Sequence, residues 1–283
     1  MLVRGFIQIP FQTGIANIEL KKEKGSMDYI TAVILGIVQG VSEFLPISST
    51  GHMILASHLM GLRHTEFLKS FEIAIQAGTI MSVVVLYWRS LLVDIEVMKR
   101  IVVAFIPTGI LGLILYRLIK NYLLGSENVV LVSLLLGGIF LVVFELCYRE
   151  KVDGVVEIRE ISYKNALIIG LFQSIAMIPG VSRSASTIVG GLILGLKRKT
   201  IVEFTFLLAV PTMLAATGYD LIKSGSQFSL GQFQYLLVGF FAAFIVAIVC
   251  IKFLLHFIKT HTFIPFGIYR IVLVIVWFLT LRV

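Results

Sequence analysis

Six stretches of this chain, residues 71–88, 101–119, 129–148, 201–222, 235–258 and 263–281, stay apolar for the length of a membrane-crossing helix. Crossing the hydrocarbon core takes roughly 20 apolar residues, and lipid offers the backbone no hydrogen-bond partner, so each run must close its own amides as an α-helix. A chain of 283 residues that is 58% hydrophobic and 14% charged cannot hide these runs in a soluble core, where about a quarter of residues would be charged. An ordinary cytosolic enzyme and a disordered chain are both excluded. The formal charge of +8 sits mainly in the links between runs, where it meets anionic headgroups or an anionic substrate; nucleic acid is the weaker reading. Cys147 and Cys250 lie inside apolar stretches without metal or CxxC spacing and read as structural.

Two further regions are too interrupted to cross. Residues 30–47 contain Gln39 and Glu43 and run into Pro46, and residues 165–179 contain Gln173 and end at Pro179. Each is followed by a polar cluster and a short apolar run, 53–62 or 185–196. Such pieces suggest re-entrant hairpins, because irregular backbone survives at membrane depth only where protein or a wet cavity covers it. A shift of 133 places Pro46 on Pro179, Ser49 on Ser182, Phe71 on Phe204 and Thr79 on Thr212; Gly36 and Gln39 match Gly170 and Gln173 with one more. The expected fold is therefore an all-α polytopic membrane protein, with about six transmembrane helices plus two re-entrant helical hairpins related by an inverted internal repeat. Its single domain covers residues 27–283, with halves at roughly 27–150 and 160–283, and residues 1–26 form an extension of no assigned function.

Chemistry concentrates in the two hairpins. QGVSEFLPISSTGH, residues 39–52, combines an amide, a carboxylate, three hydroxyls and an imidazole within apolar flanks. Gln39 and Glu43 lie four apart, on one helical face, and can jointly bind a cation or hold a water. After Pro46, the hydroxyls of Ser48, Ser49 and Thr50 stand at the start of the next helix, whose open amides suit a phosphate. PGVSRSAST, residues 179–187, sets Arg183 between Ser182 and Ser184, just before a short helix beginning near Ala185; a guanidinium matches phosphate oxygens bidentately. An ionisable group at such a place is a functional hypothesis by default. If the hairpins meet, the set suits phosphoryl transfer: Arg183 and a divalent cation stabilise charge, a hydroxyl or water attacks, and Glu43 or His52 moves the proton. Glu43 is the better metal anchor, because Mg²⁺ and Ca²⁺ prefer carboxylate oxygen, and His52 the better proton carrier.

These two motifs, with FEIAIQAGT at residues 71–79, resemble the signatures of the bacterial undecaprenyl pyrophosphate phosphatases, the bacitracin-resistance family, in order and spacing from about Met27 onward. The resemblance implies a multi-pass enzyme of the inner (plasma) membrane, its site facing the outer side, that removes the terminal phosphate of undecaprenyl pyrophosphate with a divalent cation. It recycles the lipid carrier of peptidoglycan synthesis and confers bacitracin resistance. The family's glutamate signature falls on Gln39 and Glu43, its SSTGH on Ser48, Ser49, Thr50, Gly51 and His52, and its arginine motif on Ser182, Arg183 and Ser184, with Thr187 closing the second motif. By the same resemblance Ser49 is the candidate nucleophile. Gln39 stands where many relatives carry a second glutamate, which weakens a two-carboxylate metal scheme, and Ala185 where glycine is common. The implied partners are a polyprenyl pyrophosphate lipid and the surrounding membrane; a homo-oligomer is left open.

A transporter or lipid flippase is the rival from another class, since transporters also build midplane sites from inverted hairpins. A phosphatidic-acid-phosphatase type fits less well, lacking its second histidine after Arg183. Glu72 and Gln76 share a helical face and are candidates for supporting the site; Glu145 and Asp220 read as structural, and His58, His64, His256 and His261 as surface or interface groups. The glycines at 190, 191 and 195 permit close helix contact. Arg89, Lys99 and Arg100 mark one link as cytoplasmic, and Arg149, Lys151, Arg159 and Lys164 another.

Overall fold

A computed structural model describes residues 27–62, 65–118, 126–224 and 230–281. The extension at 1–26 and His64 lie outside the described residues, as does the side chain of Asp220. The described residues fold as ten α-helices in two runs of five. The first is α1 (Tyr29–Ser42), α2 (Ser49–Leu59), α3 (Glu66–Leu92), α4 (Ile95–Leu118) and α5 (Glu127–Cys147). The second is α6 (Tyr163–Ile175), α7 (Arg183–Ile193), α8 (Arg198–Ser224), α9 (Leu230–Phe257) and α10 (Ile264–Leu281). Starts are set by side-chain caps: Asp28, Ser48, Thr65, Ser126, Ser162 and Ser182 each accept a hydrogen bond from an open amide of the helix that follows.

Helices α3, α4, α5, α8 and α9 are long and apolar enough to span a bilayer, and α10 is a shorter apolar helix. Val85, Leu136, Val249 and Leu279 on these helices are each more than half exposed, a surface that only hydrocarbon solvates without cost. The two interrupted regions form helical pairs, α1–α2 and α6–α7, at the positions the repeat requires. Three spanning helices separate the first pair from the second. That odd number makes the pairs enter from opposite faces, which is the inverted relation expected.

The halves interlock. Helix α1 packs on α9, and its counterpart α6 packs on α4, so each entry helix rests on the fourth helix of the other half; α5 and α10 pair across the same relation. Gly36 and Gly170 make these crossings possible. A Cβ at Gly36 would stand 2.7 Å from the carbonyl oxygen of Gly239, and one at Gly170 would collide with the carbonyl of Ala104. Gly170→Val is therefore expected to lower stability by about 1–3 kcal/mol through overpacking. An unchanged thermal midpoint in detergent would contradict the tight crossing.

On one face, Arg159 Nε donates to Asp94 Oδ2 at 2.7 Å and Arg100 Nε to the Ile161 carbonyl at 2.7 Å, joining the α3–α4 link to the segment before α6. The two basic links thus share a side, as their charge predicts. Glu145 is buried at the end of α5 and takes both Nη groups of Arg198, which also stacks on Tyr148 and Phe263. Both residues are structural: a charge pair that locks α5 to α8 and the entry of α10. Gly190 lies against the Phe172 ring and Gly191 against Ile201, so the small residues of α7 serve packing inside the chain.

Candidate active site

Helix α1 ends where its polar face begins to matter. Gln39 Nε2 donates to Glu43 Oε2 at 2.8 Å, and Glu43, the C-cap, is 5% exposed. The chain turns through Phe44–Ile47 and enters α2 at Ser48, whose φ is +74°. In the second hairpin Ser182 occupies the same place, with φ +81°, and caps α7. These serines are the only non-glycine residues with positive φ among the described residues, and each such conformation costs on the order of 1–3 kcal/mol. Backbone strain of this kind gathers at functional sites, and here it marks both turns.

The strained pair also corrects the register of the repeat. Ser48, not Ser49, matches Ser182, a shift of 134 that agrees with Gly36 on Gly170 and Gln39 on Gln173. The second hairpin reaches its proline one residue earlier and spends one more before its cap. Ser49 therefore corresponds to Arg183: a hydroxyl and a guanidinium occupy the first positions of α2 and α7.

The two turns meet directly. Arg183 Nη2 donates to Glu43 Oε1 at 3.3 Å, and its Nη1 donates to the Thr205 carbonyl on α8 at 3.1 Å. Ser184 Oγ donates to the Phe44 carbonyl at 2.8 Å, fastening α7 to the first turn. Thr187 Oγ1 donates to the Arg183 carbonyl at 2.9 Å and accepts from Thr205 Oγ1 at 2.9 Å. Ser184 and Thr187 are fully buried, and both direct their hydroxyl protons at main-chain carbonyls. They hold the arginine in place. Ser182 and Ser48 accept from Ala185 and Gly51 amides, which leaves each hydroxyl proton for another acceptor. Ser49 is half-buried, Thr50 is exposed, and neither hydroxyl is hydrogen-bonded among the described residues.

His52 lies one turn into α2. Its Nδ1 sits 2.8 Å from the Ser48 carbonyl, which can only accept, so Nδ1 carries a proton and Nε2 is the basic atom. Nε2 lies 2.8 Å from the Tyr269 hydroxyl. Beside Tyr269, Arg270 is wholly buried and donates to the carbonyls of Ser133, Gly180 and Val181; among the described residues it has no carboxylate partner and its Nε has no partner at all. Thr205, Tyr269 and Arg270 escape a motif-based reading. For Arg270 the signal was available, an arginine inside an apolar run; Thr205 and Tyr269 carry none. Of the pair Glu72 and Gln76, Gln76 accepts from Thr217 on α8 at 3.4 Å.

The second hairpin repeats the scaffold without the chemistry. Gln173 mirrors Gln39, yet Met177 stands where Glu43 would be, and the Gln173 amide bonds to Thr108 and Thr212 hydroxyls at 2.9 and 3.1 Å. Among the described residues, Glu43 is the carboxylate that pairs with Arg183. No group of three or more His, Cys, Asp and Glu residues arranged to hold a metal occurs among the described residues. The donors fit a divalent cation only in part: Glu43 and the Gln39 carbonyl oxygen supply two side chains, and phosphate oxygens would complete the shell, a common arrangement for Mg²⁺.

A buried acid, a guanidinium and uncommitted hydroxyls are brought together by two helical hairpins among helices long and apolar enough to span a membrane, the build of an integral membrane protein. The chain belongs to the bacitracin resistance protein BacA family, whose model matches residues 32–276. It is 56% identical over 246 residues to the undecaprenyl-diphosphatase of Aquifex aeolicus (strain VF5), covering 87% of this chain and 96% of that protein. It is 54% identical over 253 residues to the undecaprenyl-diphosphatase of Sulfurihydrogenibium sp. (strain YO3AOP1), covering 89% and 99%. It is 50% identical over 251 residues to that of Wolinella succinogenes, covering 89% and 97%.

Proposed function

We propose that this protein hydrolyses undecaprenyl pyrophosphate to undecaprenyl phosphate and inorganic phosphate, at the junction of its two hairpins. The observation that carries the reading is the direct contact of Arg183 with Glu43, which puts a phosphate-binding cation and a buried carboxylate within one substrate group of each other. The single long bond between them can yield to a phosphate, whose two oxygens match the guanidinium fork better than one carboxylate oxygen does. Arg183 then stabilises charge on the transferring group, and its hold on the Thr205 carbonyl keeps it aimed. Ser49, the first residue of α2, attacks phosphorus as its proton passes to His52 Nε2 or Glu43, and the bond to the bridging oxygen breaks. Water hydrolyses the phosphoserine in a second step by the same route.

A divalent cation, held by Glu43, Gln39 and phosphate oxygens, would offset charge on the pyrophosphate. Glu43→Gln is accordingly expected to raise the divalent concentration for half-maximal rate about tenfold or more. An unchanged requirement would reject Glu43 as the anchor.

The enzyme resides in the plasma membrane with the basic links, on the face where α6 begins, toward the cytoplasm. Hairpin α1–α2 then enters from the outer side and opens its hydroxyls there. The product supplies the lipid carrier of peptidoglycan synthesis, and turnover of its precursor underlies bacitracin resistance. Purified protein in detergent should release inorganic phosphate from undecaprenyl pyrophosphate and lose that activity with chelator. Binding of the lipid without phosphate release would favour a flippase and overturn the reading.

A further inference from the structure

Helix α10 sets two consecutive side chains against the two strained turns. The Tyr269 hydroxyl lies 2.8 Å from His52 Nε2, and the two rings stack with centroids 5.5 Å apart and planes 9° from parallel. Arg270 ties the same turn of α10 to Gly180 and Val181 in the second loop and to Ser133 on α5. The helix cannot slide without breaking those bonds, so the phenol is delivered to the imidazole by a fixed element. The Ser48 carbonyl occupies Nδ1, which leaves Nε2 as the basic atom of His52, and a hydroxyl that both donates and accepts covers it. Tyr269 is 43% exposed, so the residue is not sealed inside the chain.

We propose that Tyr269 is the relay and positioning residue through which His52 receives its proton. The attacking group gives its proton to a water, or directly to the phenol oxygen, as its own oxygen bonds phosphorus. Tyr269 passes its O–H proton to Nε2 in the same event, so the tyrosine ends neutral and His52 ends as imidazolium. When the imidazolium returns the proton, the phenol accepts it and the cycle closes. The inference rests on His52 being the proton carrier of the proposed reaction.

Tyr269→Phe keeps the stacked ring and removes only the hydroxyl. In purified protein acting on undecaprenyl pyrophosphate, kcat should fall about tenfold, the effect of losing one orienting hydrogen bond to a reactive group, with KM nearly unchanged. Rates in mixtures of light and heavy water should curve for the native enzyme, with two protons in flight, and become linear in Tyr269→Phe. Combined with His52→Gln, Tyr269→Phe should cost nothing more. Native kcat in Tyr269→Phe, or losses that simply multiply in the double variant, would overturn the relay. If His52→Gln alone keeps native kcat, the proton-carrier reading falls and takes the relay with it. If His52→Gln is slow while Tyr269→Phe is not, only the relay falls.

Discussion

Arg183→Ala is expected to lower phosphate release on the order of a hundredfold or more, about 3 kcal/mol of transition-state stabilisation, because no other guanidinium reaches Glu43 among the described residues. The same change leaves the Glu43 carboxylate, whose side chain is 3% exposed, buried without its cation. Removing one member of a buried ion pair costs about 3–5 kcal/mol of stability, so the thermal midpoint should also fall. Two effects of one substitution can be separated. Adding Glu43→Gln to Arg183→Ala removes the stranded charge and should restore much of the midpoint while leaving turnover low. Recovery of turnover along with stability would show that the arginine holds the fold and not the phosphate.

Ser49→Ala is expected to reduce turnover to background and abolish any trapped phosphoenzyme. The prediction follows from geometry: Ser48 and Ser182 cap helices, and Ser184 bonds a main-chain carbonyl, whereas the Ser49 hydroxyl is uncommitted at the first position of α2. Its counterpart in the repeat is Arg183, so the proposed attacking oxygen and the proposed charge-stabilising group occupy equivalent places at the starts of α2 and α7. Acid quench with substrate labelled in its terminal phosphate should leave label on the native protein and none on Ser49→Ala. Retained turnover would mean that water attacks phosphorus directly, with His52 or Glu43 as its base.

Much of the fold was legible because lipid leaves a backbone few options. The apolar run at 71–88 became helix Glu66–Leu92, longer because its cap and polar ends add turns that hydropathy does not register, and the run at 129–148 became helix Glu127–Cys147, nearly as read. The hairpins were readable from Pro46 and Pro179 and from polar groups too costly for a plain span. Register within the repeat was not, because the prolines match at one offset and the strained serines at another. Ser184 and Thr187 look in sequence like phosphate donors; in the structure their protons are aimed at carbonyls 140 and four residues away.

The sequence alone determined that the chain is built to span a membrane, that two of its helical segments are broken, and which two motifs concentrate polar groups, since hydrophobicity and side-chain chemistry are local properties. Tertiary structure decided that Arg183 faces Glu43, that one half keeps the carboxylate while the other lends the guanidinium, and that Tyr269 and Arg270 on the last helix brace both turns. Such pairings depend on how the halves interlock, and that follows from close crossings such as Gly36 on α9 and Gly170 on α4, which no short window of sequence encodes.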